Sequence, residues 1–178
     1  MRVILAEKPS VAQSIAAVLG ADQKKNGYLQ GKNDLVSWCI GHLIELAPPE
    51  IYDARYAKWR REDLPIVPCA WESVVSDGTK KQFAVLKDLL NRTDVDEVVC
   101  ATDAGREGEL IFRMAYEKTG CTKPVKRLWI SSLEESAIRE GFRSLKPGTA
   151  YDALYRAALC RAQADWLVGI NGTRLYSR

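Results

Sequence analysis

Glu7 and Lys8 stand directly after an apolar run, Val3-Ile4-Leu5-Ala6, and directly before Pro9. Much further along, Asp103, Glu107 and Glu109 follow a second apolar run that ends at Ala101. Carboxylates placed at the ends of buried strands are hard oxygen donors. With no His or Cys pattern beside them they suit Mg²⁺, which takes one or two carboxylates and keeps several waters. Lys8 then sits where a phosphate or a leaving oxygen is met, and helices beginning near Pro9 and Arg106 add backbone N–H donors and positive dipole ends. That combination predicts metal-assisted phosphoryl chemistry. A second reading fits the same residues: Asp103 as a helix N-cap, Glu107 and Glu109 as complements to the helix dipole, and Glu7 with Lys8 as an exposed ion pair.

For these groups to meet, two strands must be neighbours and run the same way. Residues 2–6 read as a buried strand, and "SVAQSIAAVLG" follows with Val11, Ile15, Val18 and Leu19 at helical spacing and Gly20 as a stop. Glu97–Ala101 reads as another strand, leading through a polar turn into a helix with Leu110, Ile111, Met114 and Ala115 on its core face and Gly120 at its end. "VKRLWI" supplies a third core strand, and a helix over about residues 79–91 carries Phe83, Leu86, Leu89 and Leu90. Asn-Gly, Gly and Asn-Asp breaks predict a hairpin or small antiparallel excursion over 27–46, and four prolines between Pro48 and Trp71 predict a long ordered surface loop. Alternating strands and helices imply an α/β fold with a mainly parallel, doubly wound sheet. In such sheets functional groups gather outside the carboxyl ends of the strands.

With 178 residues the chain suffices for one full α/β domain and a short further element. An apolar fraction of 47% and a charged fraction of 28% set disorder aside. The net charge is only +3, but basic residues cluster in "RYAKWRR" (Arg55–Arg61) and at Arg156, Arg161, Arg174 and Arg178, which permits a nucleic-acid partner and equally describes solvated faces. The five cysteines are widely spaced with no Cys-x-x-Cys, so neither a disulfide framework nor a zinc site is indicated and a reducing cytosol fits. "LVSWCIGHLIELA" is too short to span a bilayer, and the first residues lack a signal-peptide layout, so no membrane association is expected.

Five stretches carry a family resemblance: "VILAEKPSVAQSIA", "GHLIELAPPEIYD", "ATDAGREGELIFR", "RLWISSLEESAIREGF" and "RAQADWLVGINGTRLYS". In this order, over nearly the whole chain, they resemble the Toprim domain of type IA DNA topoisomerases, most closely the topoisomerase III branch. The resemblance implies a Toprim (Rossmann-like) domain over 1–147, a helical C-terminal extension over 148–178 that starts a single-strand DNA groove domain, and a polypeptide that continues beyond Arg178.

It further implies that Glu7 belongs to the cleavage site, that Lys8 contacts the scissile phosphate, and that Asp103 and Glu107, with Glu7, hold Mg²⁺. Arg161, Asp165, Asn171, Thr173 and Arg174 are implied in the DNA groove, and Arg127, Trp129 and Ser131 near it; His42 in "GHL" is a candidate DNA contact or a satisfied structural residue. The implied function is the cleavage, passage and religation of single DNA strands in the cytoplasm, at the nucleoid, together with the remaining domains of the same polypeptide. A free-standing Mg²⁺ nuclease or primase-like enzyme and a non-catalytic DNA-binding module are the alternatives. One position departs from the family pattern: the usual second Asp of the acidic motif is Gly105. That removes a ligand, or serves a tight turn with φ > 0. Tyr176, in "YSR", superficially resembles a nucleophile motif, but its context matches the groove entry.

Overall fold

The computed structural model describes residues 1–177. The strands are Arg2–Ala6 (β1), Gln23–Lys25 (β2), Tyr28–Gln30 (β3), Asp34–Trp38 (β4), Ile44–Leu46 (β5), Ser73–Val75 (β6), Glu97–Ala101 (β7), Val125–Arg127 (β8) and Lys146–Pro147 (β9). The helices are Pro9–Leu19 (α1), Pro49–Tyr52 (α2), Lys80–Leu90 (α3), Arg106–Thr119 (α4), Glu135–Arg143 (α5) and Asp152–Tyr176 (α6).

β1 lies at the centre because its side chains are apolar on both faces. Val3 and Leu5 join Val98 and Cys100 of β7 against Leu86, Leu90, Ile111 and Phe112 of α3 and α4. Ile4 and Ala6 join Val99 and Ala101 against Ala12 and Ile15 of α1 and Ile138 of α5. Alternate residues thus feed two cores, as the period of a strand requires. Each fully buried Leu or Ile is worth about 1.5–3 kcal/mol, so the two cores hold the sheet between its helices.

The sheet order is β2-β3-β4-β1-β7-β8-β9. β4, β1, β7 and β8 run parallel, while β2-β3-β4 and β8-β9 pair antiparallel. The α/β class and the mainly parallel sheet agree with the sequence. The hairpin differs: residues 23–38 form a meander whose last strand docks on β1, and β5 leaves to pair with β6 in a separate ribbon. β4 is buried from Asp34 to Ser37, which a peripheral excursion would not be. The Pro-rich stretch carries α2 and two 3₁₀ turns, at Ala54–Ala57 and Arg61–Asp63. The strand read over "VKRLWI" stops at Arg127, and α5 is a helix not expected from the sequence.

Helix ends follow the expected chemistry. Gly20 and Gly120 close α1 and α4 in the left-handed region, at φ 71° and 74°, where a side chain is costly. α6 packs on α4 and is tied down by Trp166, whose Nε1 donates to Ala47 O at 3.0 Å. Among the described residues no helix is long and apolar enough to cross a membrane.

Candidate active site

The register of β1 and β7, Ala6 opposite Ala101, makes both strands end at the same level. Glu7 and the turn Thr102–Gly105 therefore leave the sheet side by side, and Glu7 Oε2 accepts a hydrogen bond from Asp103 N at 3.2 Å. Glu7 is only 9% exposed, whereas Lys8 is exposed, so the two do not form the surface pair that the second reading required. Asp103 does not cap α4 either: the N-cap is Gly105 and no side chain caps it. The Asp103 carboxylate is exposed and, among the described residues, makes no hydrogen bond or ion pair. Gly105 has φ 174°, extended backbone open to any residue, so a φ > 0 requirement does not explain this glycine. A Cβ at this position would have nothing within 4 Å among the described residues.

His42, in the loop before β5, reaches the same edge, with Nε2 at 2.5 Å from Glu107 Oε1. Their side chains are 41% and 67% exposed, so the contact contributes about 1 kcal/mol at most and a cation can displace it. Glu109 is different. It is 1% exposed and fully used, accepting from Arg127 Nε and from Arg113 Nε, each at 3.0 Å. It is not an available oxygen ligand. Cys100, beneath the turn, is no ligand either: burial pushes its thiol up to about 11, so it stays protonated.

Among the described residues no group of three or more His, Cys, Asp or Glu is assembled as a metal cage. The donors at the edge are nonetheless oxygen: Asp103 unpaired, Glu107 weakly paired, and Glu7 with one oxygen committed. That set fits Mg²⁺ held by a few carboxylates and completed by water or phosphate.

The expected DNA residues divide. Arg127 is 1% exposed, and its donors go to Glu109 and to backbone carbonyls, so it offers no guanidinium to a ligand. Asn171 is an anchor: its Oδ1 accepts from Ile66 N at 2.6 Å, and its Nδ2 donates to Ile66 O and Leu167 O, both at 2.9 Å. It pins the Pro-rich stretch to α6. Ser131 is exposed on a cleft of about 350 Å³ shared with Val11, Asp103 and Ala104. Trp129 stacks on Tyr151, ring centroids 4.8 Å apart.

Thr173, Arg174 and Asp165 line a cleft of about 380 Å³ with Trp59 and Trp166. Arg174 is 7% exposed; its guanidinium lies 5.4 Å from the Trp59 ring centroid, and Nη1 has no hydrogen-bond partner among the described residues. Arg161, exposed, faces Asp165 at 3.6 Å. Tyr176 ends α6 at 83% exposure. What sequence reasoning missed is the internal Arg127–Glu109–Arg113 network. Its one visible signal is the helical i,i+4 spacing of Glu109 and Arg113.

The chain is similar to proteins named DNA topoisomerase 3. It is 56% identical over 173 residues to that of Shouchella clausii, 54% over 172 residues to that of Bacillus anthracis and 53% over 172 residues to that of Staphylococcus epidermidis. In each case the match takes in 97% of this chain and 24% of the relative, so the chain spans about a quarter of the length of these curated relatives. The full-length topoisomerase I of Thermotoga maritima shares the fold, with a TM-score of 0.62 at 24% identity over 93% of this chain and 24% of that one. The Toprim domain model matches residues 2–133, which takes in β1, β7 and the acidic turn between β7 and α4. With that match over most of its length, the chain belongs to the Toprim domain family.

Proposed function

We infer that this chain is the part of a type IA topoisomerase, of the topoisomerase III branch, that supplies the acidic Mg²⁺ site for cleaving, passing and religating single DNA strands. The observation that carries the reading is the shared end of β1 and β7, where Glu7 grips the backbone of Asp103 and the Asp103 carboxylate has no partner among the described residues. Asp103 and Glu107, with Glu7, would hold the cation. When bound, Mg²⁺ supplies positive charge against the phosphate oxygens. Lys8, exposed at the N-terminus of α1, adds an ammonium for the same phosphate, and the first free N–H groups of α1 and α4 favour negative charge at that edge. His42 Nε2 pairs with Glu107 Oε1 at the same edge.

The cleft of Trp59, Thr173 and Arg174, with Arg161 and Asp165 beside it, supports a path for single-stranded DNA, where an aromatic face and basic groups serve base and phosphate. In this reading residues 1–147 are the Toprim unit and 148–178 begin the groove domain. The remaining domains of the same polypeptide are the principal partner, and the location is cytoplasmic, at the nucleoid. No tyrosine in the segment stands in a nucleophile's context, and a phenol is a poor nucleophile until a site positions it and stabilises the developing charge.

Incubating the chain with Mg²⁺ and labelled single-stranded DNA tests the proposal. Binding should weaken as salt rises, with no covalent adduct and no relaxation of supercoiled plasmid. Metal-dependent cutting by the chain alone would favour the nuclease reading. An adduct lost in Tyr176→Phe would make the segment a complete cleavage module, and equal preference for duplex would misplace the groove.

A further inference from the structure

Arg127 is the largest fully buried side chain, and a guanidinium without water must have a purpose for each donor. Its Nη1 donates to Cys100 O at 3.2 Å, Thr102 O at 2.7 Å and Leu128 O at 2.9 Å, and its Nη2 donates to Asp103 O at 2.8 Å. Thr102 and Asp103 lie just past the end of β7, where the ladder with β8 has stopped at Cys100 opposite Arg127. Their carbonyls have no strand partner left, and Arg127 takes that place. The Asp103 N–H is meanwhile held by Glu7. Both backbone polar groups of Asp103 are thus fixed by charged side chains from other elements, while its own carboxylate has no partner among the described residues.

Glu109 sets Arg127 in turn. Its Oε2 takes Arg127 Nε, and its Oε1 takes Arg113 Nε, whose Nη2 continues to Gly148 O at 2.7 Å and Asp152 Oδ1 at 2.9 Å at the root of α6. Burial works to lower the Arg113 pKa, and the bonds to Asp152 and Glu109 outweigh it, so the group is held charged. Trp129 and Tyr151 close over the Arg127 guanidinium, with centroids at 5.0 and 6.0 Å. We propose that Arg127, oriented by Glu109, is the positioning residue for the acidic turn: it fixes the backbone of Thr102 and Asp103 so that the Asp103 carboxylate faces the cation.

This rests on the reading of Asp103 as a cation ligand, and a double-mutant cycle separates the two. Mg²⁺ affinity is measured by calorimetry on the parent, Asp103→Asn, Arg127→Lys and the double variant, each shown folded by circular dichroism. Arg127→Lys keeps the charge but loses the fork that spans several carbonyls. It should weaken Mg²⁺ about tenfold, in the range of a lost outer-sphere partner. In the Asp103→Asn background the same change should have little further effect. Independent, multiplying losses, or an unchanged affinity in Arg127→Lys, would overturn the positioning role while leaving the site itself standing. An unchanged affinity in Asp103→Asn would instead sink the cation reading.

If Arg127→Lys does not fold, the parent decides the matter. In ¹⁵N NMR, the Arg127 Nε–H signal and the Asp103 amide should move together, with one midpoint, as Mg²⁺ is added. An Arg127 signal that ignores Mg²⁺ while the Asp103 amide shifts overturns the proposal.

Discussion

Replacing Gly108 by Ala reverses the usual effect of that change. Gly108 is in the first turn of α4, and inside a helix Ala is favoured over Gly by up to about 1 kcal/mol. Here a Cβ would lie 2.2 Å from Asp103 O, 2.9 Å from Asp103 N and 3.0 Å from Asp103 C, all of it backbone. The turn must retreat by about 1 Å to restore ordinary contact distances. That movement strains the Arg127 Nη2 bond to Asp103 O and the Thr102 Oγ1 bond to Gly108 O, both 2.8 Å. Overpacking costs about 1–3 kcal/mol, and weakening a bond to a charged donor adds about 1.5–3 kcal/mol. Less the gain in propensity, the net loss is about 1.5–5 kcal/mol, or a fall in Tm of about 3–20 °C for a chain of this size. Thermal melting by far-ultraviolet circular dichroism reads it. Gly105→Ala, with open space around its Cβ and an extended φ of 174°, is the control and should shift stability by less than about 0.5 kcal/mol. A Gly108→Ala protein as stable as the parent would show that the Asp103 backbone yields to the added methyl without loss.

Gly105→Asp has room for its side chain and should tighten Mg²⁺ by restoring an oxygen ligand; calorimetric titration would show an equal or weaker affinity if the added carboxylate faced elsewhere. Glu109→Ala leaves the buried Arg127 guanidinium and the half-buried Arg113 guanidinium without their carboxylate and should destabilise the fold by about 3–5 kcal/mol in urea unfolding. Asn171→Ala removes the clamp on Ile66 and should cost about 1–3 kcal/mol, with faster hydrogen exchange at the Ile66 amide. Cys69 and Cys160 are exposed while Cys39, Cys100 and Cys121 are buried, so iodoacetamide at pH 8 should label only the first two in the folded protein by mass spectrometry. The Cys100 thiol is raised to about 11, so pH 8 lies well below its titration and leaves it protonated as well as shielded.

The parallel core was legible because its signals are local. The apolar runs at 3–6 and 98–101 have nowhere to go but a buried strand, and Gly20 and Gly120 stop the helices that follow. The convergence of Glu7 and Asp103 needed one further inference, that the two strands are neighbours, and the parallel-sheet rule supplied it. The partner of β4 was not legible, because Leu35 and Val36 suit a hairpin and a central sheet equally, and only β1 across the sheet decides between them. The roles of Arg127, Glu109 and Asn171 were hidden for a related reason. Arginine, glutamate and asparagine are surface residues by type, and their burial depends on carbonyls from remote parts of the chain, such as Thr102 for Arg127 and Ile66 for Asn171. A motif match carries such residues over as ligand contacts when their donors are already spent inside.

If Glu7, Asp103 and Glu107 hold Mg²⁺, a divalent cation settles at the carboxyl ends of β1 and β7. Mn²⁺ takes the same oxygen ligands as Mg²⁺ and broadens NMR signals near it, so adding trace Mn²⁺ to ¹⁵N-labelled protein locates the ion. The opposite edge of the sheet is the internal control, since Asp94, Asp96 and Glu97 cluster there beside the N-terminal ammonium. Broadening should centre on the amides of Glu7, Lys8, Asp103 and Glu107, fade when excess Mg²⁺ is added, and be lost in Asp103→Asn. Broadening centred on Asp94–Glu97, or unchanged by Asp103→Asn, would contradict the assignment of this edge as the metal site.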